Sequence, residues 1–251
     1  MAIDVNTVYT TVLSILNKEQ RGYITPEEFN KLATQVQLEI FENYFEDLNQ
    51  QLRVPQADSE YANRQKNIDN CISIFKTIGT TTYNGAGGYF LPPSDLHRIG
   101  TVIYKDEKEL QRVERNEFLN INLSPLTKPT TQFPVYLYEQ VVQGTGGANT
   151  GETHIFVKPT TIVVAADITV SYIRKPADVV WDFIGLNGQN PWISGPYIYN
   201  QATSTQFELD DTEQTEVILR ILAYAGVVIR DPQIVQAASQ AVQSEEVNSK
   251  S

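Results

Sequence analysis

Apolar residues recur at helical spacing near both ends of the chain and alternate at strand-like spacing in the middle. The first helical pattern runs from Asp4 to Leu16 and places its apolar side chains on one side of the helix. We therefore predict a short amphipathic first helix with the apolar stripe Val5, Val8, Val12 and Ile15.

A second helix has a marked beginning. Thr25 precedes Pro26, and Glu28 follows Thr25 by three residues, which is the spacing of a capping box. In this motif the threonine and glutamate side chains each bind the backbone N–H group of the other residue. The apolar pattern then continues, so we predict that the helix runs to about Leu52.

This second helix carries two apolar stripes on different faces. Steps of about 100° per residue separate the second stripe from the first, which consists of Phe29, Leu32, Val36 and Ile40. Such a helix either lies between two elements of its own domain or uses one face to contact another subunit. The second stripe is our candidate subunit interface, and it consists of Leu38, Phe41, Phe45, Leu48 and Leu52.

The pattern changes from helix to strand in the middle of the chain. A third helix is predicted over Ser59–Ile78, and from Thr80 to Gln206 short runs of Thr, Val, Tyr and Ile are broken by Pro and Gly. Glycine-rich hairpin tips are predicted at Asn84–Gly88 and Gly144–Gly151. The clearest strands are Arg98–Tyr104, Val135–Val142, Thr153–Val157 and Ile168–Arg174.

Helical patterns return near the C-terminus, with Asp211 as a candidate cap. Val217–Ile229 is apolar almost all round, which predicts a helix in the centre of a core. A last helix is predicted to begin at Asp231 and Pro232, but its apolar stripe is thin and rich in alanine. Burying so little area does not offset the ordering of the backbone, so this helix is expected to need a partner.

Together these patterns predict an α+β fold in which both termini form a helical domain and an antiparallel β sandwich or barrel-like domain is inserted between them. The predicted boundaries are 1–79 for the first part of the helical domain and 80–206 for the inserted β domain. Residues 207–230 are predicted to complete the helical domain with its central helix, and 231–251 to form a C-terminal tail.

The acidic balance of the chain changes which partners are expected. Thirty Asp and Glu residues against 19 Lys and Arg residues give a net charge of −11, the wrong sign for a surface that neutralises phosphates. The single cysteine, Cys71, cannot form an internal disulfide, and the first residues lack a signal-peptide pattern, so we expect folding in a reducing compartment. No apolar stretch approaches the roughly 20 residues of a membrane-spanning helix.

Residues 17–28 resemble a calcium-binding loop between two helices. Gly22 occupies the sharp-turn position, Ile24 the apolar position and Glu28 the position of the final carboxylate ligand. Arg21, however, puts a cation where an oxygen ligand is required, and no second loop pairs with this one. We therefore expect no calcium binding and no other cofactor.

Catalytic constellations are not apparent. Two histidines and one cysteine are too few for a His/Cys zinc site. Ser94, Asp95 and His97 are neighbours that follow two prolines, whereas the members of a catalytic triad converge from distant segments. The chain is expected not to be an enzyme.

An aromatic segment with interspersed glycines and prolines runs from Trp181 to Tyr199. Such a segment packs in a core, contacts another protein or forms a sugar-binding platform, since all three use the same residues. Its candidate contact residues are Trp181, Trp192, Tyr197 and Tyr199.

Four stretches together resemble a known family. They are Glu19–Phe29, Phe90–Ile99, Ile168–Pro176 with Trp181, and Phe207–Glu216. In this order they are similar to the head-to-tail connector proteins, also called adaptor or ring proteins, of short-tailed phages, particularly of the crAss-like group. The resemblance spans most of the chain, and its motifs are structural rather than catalytic.

The resemblance implies a virion protein that folds in the host cytoplasm and forms a ring beneath the portal protein, in the twelve-fold symmetry of the portal. Other tail or ring proteins would contact the ring, and DNA would pass through its channel without specific binding. The aromatic segment has no match in the family, and we keep it separately as the candidate tail-partner loop. The C-terminal tail would dock on the portal through Gln233, Ile234, Ala238, Gln240 and Val242. Two alternatives remain open: a tail or baseplate accessory protein with glycan-binding loops, and a calcium-modulated interaction module.

Overall fold

The computed structural model describes residues 2–18, 24–51, 64–140, 153–184, 198–229 and 236–244. The fold is of the mixed α+β class with antiparallel sheets, as predicted. Within the residues that the structure describes, neither large sheet closes into a barrel. The chain divides into two compact units, a helical unit of Met1–Ile74 with Pro176–Ser251, and a β unit of Phe75–Lys175.

This division differs from the predicted boundaries of the inserted domain, which were 80 and 206. The β unit begins earlier because residues 76–80 form a strand of its first sheet. It ends earlier because the chain after Lys175 returns to the helical unit, where Ala177 and Val179 are bound by side chains of the second helix. Distant hydrogen bonds, and not the strand-like composition of 176–206, decide which unit this segment joins.

The helical unit contains helices from both ends of the chain. Its α1 is capped by Asp4, whose carboxylate accepts a hydrogen bond from the backbone N–H of Thr7 at 3.1 Å. The final long helix follows a 3₁₀ turn that is capped by Asp210, and not by Asp211 as predicted, because the Asp210 carboxylate accepts from the Thr212 N–H at 3.1 Å. In chain order these helices are α1 Val5–Lys18, α2 Pro26–Gln51, α3 Arg64–Ser73, α5 Gln214–Ile229 and α6 over 236–244, while α4 Arg115–Asn120 lies in the β unit.

The third helix is shorter at its C-terminal end than the sequence pattern predicts. The prediction extended it to Ile78, but α3 ends at Ser73 and the chain enters the first strand at Lys76. Thr77, Ile78 and Thr80 are β-branched, and this favours the strand because such side chains pack well on a pleated surface.

The β unit contains two sheets. The first has the strand order β1-β9-β4-β5 and the second the order β2-β3-β8-β7-β6. Every neighbouring pair is antiparallel except β6 and β7, which run parallel. The strands are β1 Lys76–Thr80, β2 Thr82–Asn84, β3 Tyr89–Leu91, β4 Leu96–Tyr104, β5 Lys108–Glu109, β6 Gln111–Arg112, β7 Val135–Glu139, β8 His154–Lys158 and β9 Ile168–Arg174.

Side chains from both sheets form one core in the β unit. It is dominated by aromatic and β-branched residues, with Phe90, Tyr136 and Ile155 from the second sheet and Val102 and Val170 from the first. The predicted turn at 84–88 is confirmed as the β2–β3 connection. There the Asn84 side chain accepts from the backbone N–H of Ala86 at 3.1 Å, and Gly88 adopts a φ of 65°, which favours glycine.

A small antiparallel pair completes the described strands. Its members, β10 Phe183–Ile184 and β11 Ile198–Tyr199, flank the middle of the aromatic segment and belong to the helical unit. The predicted hairpin tip at 144–151 lies outside the described residues. No helix in the described parts of the chain combines the length and apolar character that a membrane span requires.

Candidate interaction surfaces

The second apolar stripe of α2 is largely internal. Phe41 is 0% exposed and Phe45 is 5% exposed, and their rings contact each other edge to face with centroids 5.1 Å apart. Helix α2 packs against α3 and α5 of the same chain. The prediction that Phe41 and Phe45 form a subunit interface is therefore wrong, because the protein's own core covers them. Leu38 and Leu48 are half-buried, and Leu52 lies outside the described residues.

The same face of α2 carries polar side chains nearer its N-terminus, and these bind the returning chain. Asn30 accepts the backbone N–H of Trp181 at 2.8 Å and donates to the Trp181 carbonyl at 3.2 Å. Thr34 accepts the backbone N–H of Val179 at 3.1 Å and donates to the Val179 carbonyl at 3.4 Å. We call Asn30, Thr34 and the next such residue, Gln37, the polar ladder of α2.

Gln37 is the most buried member of the polar ladder, with 1% of its surface exposed. Its Nε2 donates to the Ala177 carbonyl at 2.7 Å, and its Oε1 accepts the backbone N–H of Glu208 at 2.9 Å. One side chain thus satisfies two backbone groups that come from separate passes of the chain. A buried amide without these partners would cost free energy.

The spacing of the ladder follows from the geometry of helix and extended chain. Asn30, Thr34 and Gln37 recur about once per turn, and one turn advances about 5.4 Å. Their partners Trp181, Val179 and Ala177 alternate along an extended segment, where two residues advance about 6.6 Å. The two repeats nearly match, so polar side chains on a single helical face can form hydrogen bonds with the backbone groups along one edge of the segment over 177–181.

Sequence reasoning missed the ladder because it read only the apolar positions of α2. A pattern that could have found it is present: an amide, a hydroxyl and an amide recur at helical spacing at 30, 34 and 37 within a face that is otherwise apolar. Polar side chains that are aligned in this way need buried partners. The pattern does not identify those partners, because they lie 140 to 171 residues away in sequence.

Trp181 is a core residue and not an exposed contact residue. It is 4% exposed, and its ring lies 4.2 Å from that of Tyr9, 5.6 Å from that of Phe183 and 6.0 Å from that of Tyr199. Its indole N–H donates to the Asn6 side chain at 3.1 Å. The assignment of Trp181 to a partner-binding or sugar-binding surface is therefore wrong.

The other aromatic candidates have different positions. Tyr199 is half-buried, and its hydroxyl accepts a hydrogen bond from the Gln206 amide at 3.0 Å. Trp192 and Tyr197 lie outside the described residues. Their contact with a tail partner stays a prediction.

A charge network around the buried Arg220 joins α2 and α5. Arg220 is buried and donates to Glu216 at 2.7 Å, and it also donates to Glu39 of α2. The hydroxyl of Tyr224 donates to the other oxygen of Glu39 at 2.9 Å. Burial, followed by this hydrogen bond to a carboxylate, raises the pKa of Tyr224. The network explains how an arginine is accommodated in a helix whose neighbours Val217 and Ile221 are fully buried.

The last residues of the segment that resembles a calcium-binding loop form a helix cap. The Glu28 carboxylate accepts the Thr25 N–H at 2.9 Å and the Thr25 hydroxyl at 2.8 Å, and the Glu28 N–H donates back to that hydroxyl at 3.3 Å. The predicted capping box is therefore confirmed. These hydrogen bonds hold the pKa of Glu28 below its ordinary value. Residues 19–23 lie outside the described residues.

The residues that the structure describes contain no metal-binding cluster, and Asp95 of the triad-like residues makes a hydrogen bond between two parts of the β unit. In the described ranges, no group of three or more His, Cys, Asp and Glu side chains could hold a metal ion. Asp95 accepts a hydrogen bond from the Tyr172 hydroxyl at 2.8 Å, which ties the loop before β4 to β9. Burial, together with this bond, raises the pKa of Tyr172 to about 12.

The predicted portal-docking tail is described only in part. Residues 236–244 are helical, with Ala238 buried, Val242 half-buried and Gln240 exposed. Gln233 and Ile234 lie outside the described residues. The docking role of this tail stays a prediction.

Exposed apolar side chains are concentrated in the β unit, between β6 and β7. Leu119, Leu123, Leu126 and Phe133 are 59%, 80%, 97% and 81% exposed. We call these four residues the crossover patch. Sequence reasoning missed it because the segment carries neither a helical nor a strand-like apolar period.

Comparison with known proteins does not assign a family to this chain. No protein-family model and no curated protein matches the chain.

Proposed function

We propose that this protein is a structural subunit of a phage virion, a head-to-tail connector that assembles as a ring beneath the portal. In this role it extends the DNA channel and joins the tail to the capsid. It has no catalytic function. The proposal draws its partner, the portal, and its expected twelve-fold ring from the family resemblance of the four sequence stretches.

The crossover patch is the observation that carries the proposal. Soluble monomers rarely expose many large apolar side chains on one short segment, and exposed apolar surface of this kind often marks a contact with another molecule. Leu126 is 97% exposed, and Leu123 is 80% exposed on the same short connection. A subunit that must contact neighbours on several sides requires such surface, whereas a free monomer does not.

The rigid attachment of α2 to the returning chain also favours a structural role. The polar ladder and the Arg220 network join α2 to segments that follow the inserted β unit, so the helical unit cannot open without breaking partly buried hydrogen bonds. A connector transmits mechanical load between the capsid and the tail and needs such cross-linking within each subunit.

The net charge of −11 fits a channel through which DNA slides. Negative surface repels the phosphate backbone and prevents adhesion, whereas a basic surface would bind it and release counterions. The same charge keeps the free subunit soluble, so charge supports the proposal only together with the apolar patch.

Electron microscopy of the purified chain, alone and mixed with the portal protein encoded near it, tests the proposal. We expect closed rings, either free or on the portal. A chain that stays monomeric at high concentration and does not bind portal would contradict the proposed function.

A further inference from the structure

The crossover patch lies on the connection between two parallel neighbouring strands. Gln111 pairs with Val135 and Arg112 with Tyr136 in parallel register. A parallel pair cannot be joined by a tight turn, so the chain needs a long crossover connection between 112 and 135. The pairing of β6 and β7 therefore explains the length of the connection, but it does not explain its exposed leucines.

Crossover connections normally cover their sheet with apolar side chains. Here Phe118 is the half-buried residue of α4, with the ammonium group of Lys158 5.6 Å from its ring centroid. Leu119, the next residue, points elsewhere on the helix and is 59% exposed. Leu123 and Leu126 follow it and also face solvent.

Local hydrogen bonds hold the exposed leucines in an ordered arrangement. The Leu123 N–H donates to the Asn120 carbonyl at 3.0 Å, and the Leu126 N–H donates to the Ser124 hydroxyl at 3.4 Å. Thr127 closes this set of turns by donating its hydroxyl to the Ile121 carbonyl at 3.1 Å. Because the backbone is already ordered, binding at this surface costs little further conformational entropy.

The four residues of the crossover patch expose more than half of the area that one partner contributes to a standard interface. If a fully exposed large side chain presents roughly 150 Å², the four residues expose on the order of 500 Å². That is near the upper end for apolar patches on monomers, about 300–600 Å². It is also more than half of the roughly 800 Å² that each partner buries in a standard interface.

The segment that carries the patch contains no negatively charged residue. Between Glu117 and Glu139 the sequence contains no Asp or Glu, and Lys128 lies in this interval. Two copies of a chain with net charge −11 repel each other over much of their surface. An apolar segment without carboxylates is a place where a second copy can approach without that repulsion.

We propose that the crossover patch is the surface at which one copy of this chain binds a second copy. The proposal names the surface through which the subunits meet, and it rests on the proposed function only for the expectation that the copies close into a ring.

Sedimentation velocity over about a hundredfold concentration range, with and without portal protein, tests the surface. The variants are Leu126→Asp and Leu126→Lys, with Val164→Asp as a control at a 52% exposed residue of the β unit outside the patch. We expect the wild type and the control to associate, and both Leu126 variants to stay monomeric with at least tenfold weaker association. If association is lost with a negative and also with a positive side chain at position 126, the cause is the loss of apolar burial and not charge repulsion.

Each other outcome has a definite meaning. If the Leu126 variants assemble like the wild type, the inference is wrong while a ring built through another surface remains possible. If the control loses association as well, added negative charge explains the effect and the inference is also wrong. Association through Leu126 into closed dimers alone would uphold the inference and contradict the ring. If the wild type stays monomeric both with and without portal protein, the inference and the proposed ring are both wrong.

A photocrosslinking variant keeps the inference testable if a charged variant fails to fold. Leu126→Cys in a Cys71→Ser background carries one thiol, to which a benzophenone label can be attached. We expect light to produce covalent adducts between two copies of the chain. Adducts formed with portal or another protein, and not with a second copy, would overturn the inference.

Discussion

Asn30 of α2 binds both backbone groups of Trp181, accepting the tryptophan N–H at 2.8 Å and donating to its carbonyl at 3.2 Å. This pair places the chain that returns from the β unit against the first long helix of the protein. Trp181 then packs with Tyr9 of α1 at 4.2 Å between ring centroids. The contact therefore joins the N-terminal helices to a segment 151 residues later in the sequence.

Phe41→Asp should destabilise the monomer strongly, although the sequence pattern places Phe41 on an interface stripe. The ring is fully buried, so the substitution removes apolar packing and leaves a carboxylate in the core. We expect a loss of at least about 3 kcal/mol in the free energy of unfolding, measured by urea denaturation. Asn49→Asp adds the same charge at an exposed position of α2 and should change stability by less than about 0.5 kcal/mol. A well-folded Phe41→Asp monomer would contradict the burial described above.

Gln37→Leu should also destabilise the helical unit, because it removes hydrogen bonds while nearly keeping the volume of the side chain. The Ala177 carbonyl and the Glu208 N–H would both lose their partner, at a cost of about 2–4 kcal/mol in the free energy of unfolding. Gln35→Leu is the matched control, since Gln35 is exposed on the same helix. Equal midpoints of urea unfolding for the two variants would show that the polar ladder adds nothing.

Glu28 should make the stability of the protein depend on pH in the acid range. Its folded-state pKa lies below the ordinary value of 4.5, so its stabilising contribution is fully present above that value. The contribution is lost as the pH falls through the lowered pKa. Glu28→Gln keeps a hydrogen-bond acceptor but cannot ionise. We expect the stability difference between wild type and Glu28→Gln, from urea titrations, to stay constant from pH 7 to about 5 and to shrink below that. A difference that does not change with pH would contradict this role of the carboxylate.

Calcium should leave the protein unchanged. The carboxylate in the last ligand position, Glu28, is used by Thr25 in the capping box, and Arg21 opposes a divalent cation. Isothermal titration should detect no binding at micromolar calcium. Micromolar binding that Glu28→Ala abolishes would instead favour the calcium-modulated alternative.

Deletion of residues 232–251 should abolish binding to portal while the rest of the chain still folds. The described part of this segment buries Ala238, so a small loss of stability, about 1 kcal/mol, is expected from the removal of its packing. Co-purification with portal and thermal unfolding of the truncated chain measure the two effects. If the truncated chain unfolds at room temperature, the tail is part of the core and this prediction is wrong.

Local features were predictable because neighbouring residues create them. The capping box at Thr25 and Glu28 needs four residues in sequence, and the turn at Asn84 and Gly88 needs five. Strand β9 was predicted with both of its ends, Ile168 and Arg174, since the apolar residues at 168, 170 and 172 alternate as in a half-buried strand. The α+β class follows from such local patterns taken together.

The partners of those elements depended on the tertiary structure. Phe41 and Trp181 each present apolar surface that the sequence can identify, but the same surface serves a core or an interface equally well. For Phe41 the packing of α2 against α3 and α5 decides this. For Trp181 it is decided by the extended segment over 177–181, which returns to α2 after the whole β unit. Burial and long-range hydrogen bonding depend on that path of the chain, and no periodicity in a short window encodes it. The sequence by itself therefore determined the cap at Thr25, the turn at 84–88 and strand β9. The tertiary structure decided that α2 is covered by its own chain and that Leu119, Leu123 and Leu126 are exposed.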